Sequence, residues 1–147
     1  MTASDKFTES ERLRILDAIK EAEKNTSGEI RLFIEDECGK NVLDRAAFIF
    51  HELGMDNTKD RNGVLFYLAT TSRQFAILGD KGIHTKVEKD FWHAIKHEMQ
   101  NYFTEGNFEK GLRIGIQMSG EALKKYFPYS KSDKNELTDD IVFGKKK

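Results

Sequence analysis

The chain has 147 residues, 33% charged and 38% hydrophobic, which is the size and make-up of one ordinary folded domain. Lys and Arg number 24 against 25 Asp and Glu, a formal net charge of -1 that excludes the large basic footprint needed for nucleic acid or an anionic membrane surface. The 11 Phe exclude a disordered chain, and no run approaches the roughly 18 consecutive apolar residues of a spanning helix.

Residues 1–7 read as an N-terminal extension. They contain no basic stretch leading into an apolar run, so no secretory signal is expected. Thr8-Glu-Ser-Glu11 is a capping box that opens a helix with Leu13, Ile15, Leu16, Ile19 and Ala22 on one face. Asn25-Thr-Ser-Gly28 stops it. Glu29 to Glu35 then alternates, with Ile30, Leu32 and Ile34 to one side and Glu29, Arg31 and Glu35 to the other. This is a strand with one apolar face and one wet or functional face, the latter interrupted by Phe33. Asp36 and Glu37 follow, beside Cys38. A lone cysteine makes no internal disulfide, and neighbouring carboxylates blunt a thiol, so Cys38 is not read as a nucleophile and the expected compartment is the cytoplasm.

Asn41 caps a second helix with Leu43, Ala46, Ala47, Phe50 and Leu53 on one face, and Gly54 ends it. Gly63 to Ala69 is apolar on both faces, as in a buried central strand. Thr70-Thr-Ser-Arg73 turns the chain, and Gln74 to Leu78 returns as the second arm of a hairpin. Thr85-Lys-Val-Glu88 reads as a second capping box, before a helix carrying Val87, Phe91, Trp92, Ile95, Met99, Tyr102 and Phe103 on one arc. Glu98 falls inside that arc, either at its rim or in a buried pair with Arg31 or Arg113. His93 and His97 share the polar face at zinc-ligand spacing, without a third ligand. Asn107 caps the last helix, where Gly111, Gly115 and Ser119 recur every four residues and predict close helix contact; Pro128 prevents its continuation. The tail, 128–147, is polar apart from Ile141-Val-Phe143, which either docks back or engages a protein partner. The order α-β-α-β-β-α-α predicts an α/β fold, a three-layer α/β/α sandwich with helices on both faces of a small mixed sheet.

A right-handed crossover makes the first two strands parallel, and the hairpin sends the third back. Three segments then meet at one sheet end: Glu29, Asp60-Arg-Asn62 and Gly79-Asp80. Asp60, Asn62, Asp80 and Glu29 are candidate oxygen ligands for a hard divalent cation. Asp36 and Glu37 are rivals, placed at the opposite end. Thr58-x-Asp60-x-Asn62-Gly63 is not an EF-hand loop, because it opens on Thr58 and has Ala69 at the bidentate position. As an alternative, these are ordinary turn residues. A phosphate site is a competing use of the same loops, with Lys81, Arg61 and His84 adding charge at a helix start. No nucleotide-binding or phosphatase motif accompanies it.

The segments Gly28-Glu-Ile-Arg-Leu, Lys59-Asp-Arg-Asn-Gly-Val-Leu, Gly79-Asp-Lys-Gly-Ile-His and Gly106-Asn-Phe-Glu-Lys-Gly-Leu resemble the TPM domain family across 8–127. That family includes thylakoid-lumen proteins of photosystem II repair, an animal receptor-associated membrane protein and soluble single-domain bacterial proteins. The resemblance implies an α/β/α sandwich and calcium binding, in a binding or regulatory module. A plant member implies, alternatively, metal-assisted acid phosphatase activity, for which Asp80 would be the candidate catalytic residue.

Overall fold

The computed structural model describes residues 2–39, 41–88, 90–128 and 141–144. Helix α1 (Glu9–Glu23) opens on a complete capping box. The Glu11 N–H donates to Thr8 Oγ1 at 3.1 Å and the Thr8 N–H donates to Glu11 Oε1 at 2.8 Å. Strand β1 (Glu29–Glu35) runs parallel to β2 (Gly63–Ala69), with Glu29 opposite Gly63, and α2 (Val42–Glu52) is the crossover. Strand β3 (Gln74–Gly79) returns antiparallel to β2. After it come α3 (Lys81–His84), α4 (Phe91–Thr104) and α5 (Phe108–Tyr126). A short strand β4 (Val142–Phe143) then adds in parallel to β1, giving the order β3-β2-β1-β4. The apolar island of the tail therefore docks back onto the domain; 129–140 and 145–147 lie outside the described residues.

The two faces of the sheet bury different helices. Ile30, Leu32, Ile34, Val64, Phe66 and Leu68 pack with Ile15, Ile19, Ile95, Met99, Leu112 and Ile116 from α1, α4 and α5. Ala3 and Phe7 join this cluster. Phe33, Leu65, Tyr67, Ala69 and Ala76 face the other way, onto Ala46 and Ile49 of α2. The result is the expected three-layer sandwich. In α5, a Cβ on Gly115 would lie 2.4 Å from Met99 Sδ and one on Gly120 would lie 2.6 Å from Ala22 Cβ. Small residues thus let α5 approach α4 and α1 closely.

Two local expectations need correction. Leu13 and Leu43 are 55% and 52% exposed, and Ala47 is also exposed, because each helix buries a narrower stripe than its apolar residues allow. Phe48 is exposed too, under the Arg45 guanidinium at 5.5 Å. Thr85 does not open a helix: it is the C-cap of α3, and its hydroxyl donates back to the Gly82 carbonyl at 3.1 Å. Asp80 caps α3 instead, taking the Lys81 N–H at 2.8 Å, and α4 begins only at Phe91. Glu98 is exposed, which settles its two readings in favour of the rim; Arg113 pairs with Glu109, and Arg31 with Glu23 and Glu29. His93 and His97 are exposed.

Glu109, buried in the first turn of α5, joins α1 to α5 by accepting from Arg14 Nε at 2.8 Å and Arg113 Nε at 2.7 Å. Burial pushes its carboxyl up, but the Arg113 and Arg14 hydrogen bonds and charges together outweigh burial and hold it below the ordinary 4.5. A carboxyl depressed in the folded state stabilises the fold above its unfolded pKa, and that contribution is lost as pH falls through the folded value. Since Arg14 is half exposed, we expect Glu109→Gln to cost only about 1 kcal/mol at neutral pH. In urea unfolding, the gap from the parent protein should close as pH drops below 4.5.

Candidate functional site

The sheet brings the three segments to one rim, as the topology requires. The Glu29 N–H donates to the Asn62 carbonyl at 3.4 Å, the Asp80 N–H to the Gly63 carbonyl at 2.9 Å and the Gly82 N–H to the Arg61 carbonyl at 2.9 Å. Gly82 is what allows α3 to lie on the loop ahead of β2. A Cβ there would sit 2.3 Å from the Asp60 carbonyl oxygen and 2.5 Å from that of Arg61. Arg61 itself holds a left-handed backbone at φ 50°, uncommon for a residue with a side chain.

The side chains at this rim are engaged pairwise. Asp80 is buried and clamped by Arg61, whose Nε reaches Oδ2 at 2.7 Å and whose Nη2 reaches Oδ1 at 2.9 Å. This is the bidentate geometry that suits a guanidinium. The Asp80 hydrogen bond raises the Arg61 pKa above its ordinary value, so the guanidinium stays charged. Asn62 donates its amide to Ser27 Oγ at 3.2 Å. Glu29 pairs with Arg31 at 3.3 Å, and Arg31 also reaches Glu23 at 2.8 Å. Asp60 is exposed. Among the described residues, no three Asp, Glu, His or Cys side chains form a group that would hold a metal ion. The donors at the rim are oxygens, the chemistry a hard cation takes, but Asp80 is available to an ion only once Arg61 withdraws. For a phosphate, Lys81 and His84 are exposed, while Arg61 and the Lys81 N–H are already held by Asp80.

A second polar cluster lies at the opposite end of β1. Glu35 accepts from Arg45 Nε and Nη2, both at 2.8 Å, and from the Tyr67 hydroxyl. Burial pushes the Tyr67 hydroxyl far above the usual tyrosine range, and its bond to Glu35 adds to the rise. Sequence reasoning missed this cluster, although a tyrosine inside a fully buried strand signals a partner for its hydroxyl. Asp36 ties down the N-terminal segment by accepting the Ala3 N–H, while its carbonyl takes the Thr71 N–H at 2.8 Å. Glu37 is exposed and Cys38 is buried.

The TPM domain model matches residues 2–122. The chain belongs to the TPM domain family. The BA42 protein of the psychrophilic bacterium Bizionia argentinensis is 49% identical, with a TM-score of 0.88 over 94% of this chain and 95% of that one. The N-terminal domain of a P. gingivalis protein superposes at a TM-score of 0.69, 18% identity, over 82% of this chain and 78% of that one. The N-terminal domain of a Corynebacterium glutamicum protein does so at 0.63, 14% identity, over 88% and 78%. These last two likenesses concern the fold alone. No curated protein matches the chain. No described helix is long and apolar enough to cross a membrane.

Proposed function

We propose that this TPM domain is a binding or regulatory module for a divalent cation, in the first instance calcium, held at the rim where β1, β2 and β3 meet. The observation that carries the reading is the clamp on Asp80. A buried carboxylate at the convergence of three loops is neutralised by an internal cation, Arg61, whose side chain is 35% exposed at the rim. The ion takes the place of that guanidinium. Asp80, Asp60, the Asn62 amide oxygen and Glu29 are the ligands proposed, with backbone carbonyls and water completing the shell. The single, buried cysteine suits a reducing compartment, and we place the module in the cytoplasm.

Calcium titration of the isotopically labelled protein, followed by amide NMR, tests this. The largest shifts should fall on 60–63, 79–82 and Glu29. Shifts confined to Asp36 and Glu37, or to His93 and His97, contradict it. The competing use of these loops is phosphate-monoester hydrolysis. Turnover of p-nitrophenyl phosphate by the purified domain, lost in a folded Asp80→Asn variant, would replace the present reading.

A further inference from the structure

The two edges of the sheet are finished differently. On the β1 edge, β4 pairs with Phe33 and Ile34, and the Gly144 N–H donates to the Ile34 carbonyl at 2.7 Å. Next along that edge, Glu23 accepts the Ile30 N–H at 2.7 Å and the Arg31 guanidinium donates to the Ile30 carbonyl. Pairing and charge thus close that side.

The β3 edge has neither. The Asp80 N–H bonds to the Gly63 carbonyl, and in an antiparallel pair such bonds alternate along the strand. Gln74, Ala76 and Leu78 therefore address β2, while Phe75, Ile77 and Gly79 turn their N–H and C=O groups outward. Among the described residues, nothing hydrogen-bonds to these outward groups. The segment Gln74-Phe-Ala-Ile-Leu-Gly79 contains no charge and no proline, and its register against β2 runs from Gln74 to Gly79 without a bulge. Such an edge is a template for a further strand. Cations flank it: exposed Arg73 before its start, exposed Lys81 beyond its end, and Lys96 over the Phe75 ring at 5.8 Å.

We propose that the β3 edge accepts, by strand addition, an extended segment of another protein in which acidic residues flank an alternating apolar stretch. A second copy of this chain is the rival occupant, and charge disfavours it. Antiparallel pairing of two β3 strands through their outward groups, in the register that sets Ile77 opposite its own counterpart, brings Phe75 opposite Gly79. That register drives Arg73 of each copy toward Lys81 of the other, and like charges facing one another across strands are destabilising. An incoming strand with carboxylates at its ends meets the same cations with opposite sign. Its apolar side chains meet Phe75 and Ile77 on one face and Ala76 and Leu78 on the other.

The test titrates the labelled full chain with the acetylated peptide Glu-Val-Thr-Val-Thr-Val-Glu, followed by amide NMR. The shifts and slowed amide exchange should centre on Phe75, Ile77 and Gly79. Exchanging both terminal Glu for Lys in the peptide, or introducing Lys96→Glu in the protein, should each weaken binding about tenfold. N-methylation of one alternate set of peptide amides should abolish binding, and methylation of the other set should not. Absence of binding at millimolar peptide overturns the proposal. So do equal affinity for the Lys-ended peptide, shifts centred on Leu43 and Phe48, or a dimer in sedimentation whose β3 amides are protected without peptide.

Discussion

Replacing Gly82 by alanine should destabilise the domain by about 3 kcal/mol, at the upper end of overpacking penalties. The added methyl would stand 2.3 Å from the Asp60 carbonyl oxygen and 2.5 Å from that of Arg61. Both obstacles are backbone, so no side chain can rotate away. The position does not need a left-handed backbone; it needs the absence of a Cβ. Relief requires α3 to lift from the loop, which breaks the 2.9 Å bond from the Gly82 N–H to Arg61. Urea unfolding reads the loss directly. A cost below about 1 kcal/mol would mean that the loop yields more easily than its packing implies.

The second large effect is expected at the opposite end of the sheet. Arg45→Met should cost about 3 kcal/mol, because it removes the bidentate cation that balances the buried Glu35 carboxylate. The Arg45 side chain is 26% exposed, which places the figure at the low end of what breaking a buried pair costs. The double variant Arg45→Met with Glu35→Gln should recover part of the loss, since the buried charge that Arg45 balanced is gone. If the double variant is less stable than the single one, packing around Glu35, and not its charge, governs this cluster.

The parts of the fold legible in the sequence were those set by local chemistry or strand period. Thr8 and Glu11 form their reciprocal cap, Asn41 and Asn107 cap α2 and α5, and Ile30, Leu32 and Ile34 of β1 share one core, although the face of β1 read as wet is buried as well. The right-handed crossover and the hairpin then sufficed to bring Glu29, Asn62 and Asp80 to one rim. What the sequence concealed depends on partners distant in the chain. Thr85 and Glu88 have capping-box spacing, yet Asp80, one residue after β3, starts α3 first and Thr85 is spent at its end. Leu43 and Ala47 lie on the apolar arc of α2, but a single helix over this sheet face leaves them outside. The β4 pairing joins residues more than a hundred apart and has no local signature. At the candidate site, Arg61 was read as a free charge for phosphate. The β2–β3 register sets Gly63 beside Asp80, and Arg61 only two residues earlier, so the clamp follows from register once that is known.

The central claim is that Arg61 occupies the place of a cation on Asp80. Thermal unfolding of Arg61→Gln with and without millimolar calcium tests it most directly. Without calcium the variant should melt below the parent protein, because a buried carboxylate has lost its bidentate partner. With calcium its Tm should rise by more than that of the parent, since the ion no longer competes with the guanidinium. Equal calcium responses in Arg61→Gln, the parent and Asp80→Asn, or no response in any of them, would contradict the account.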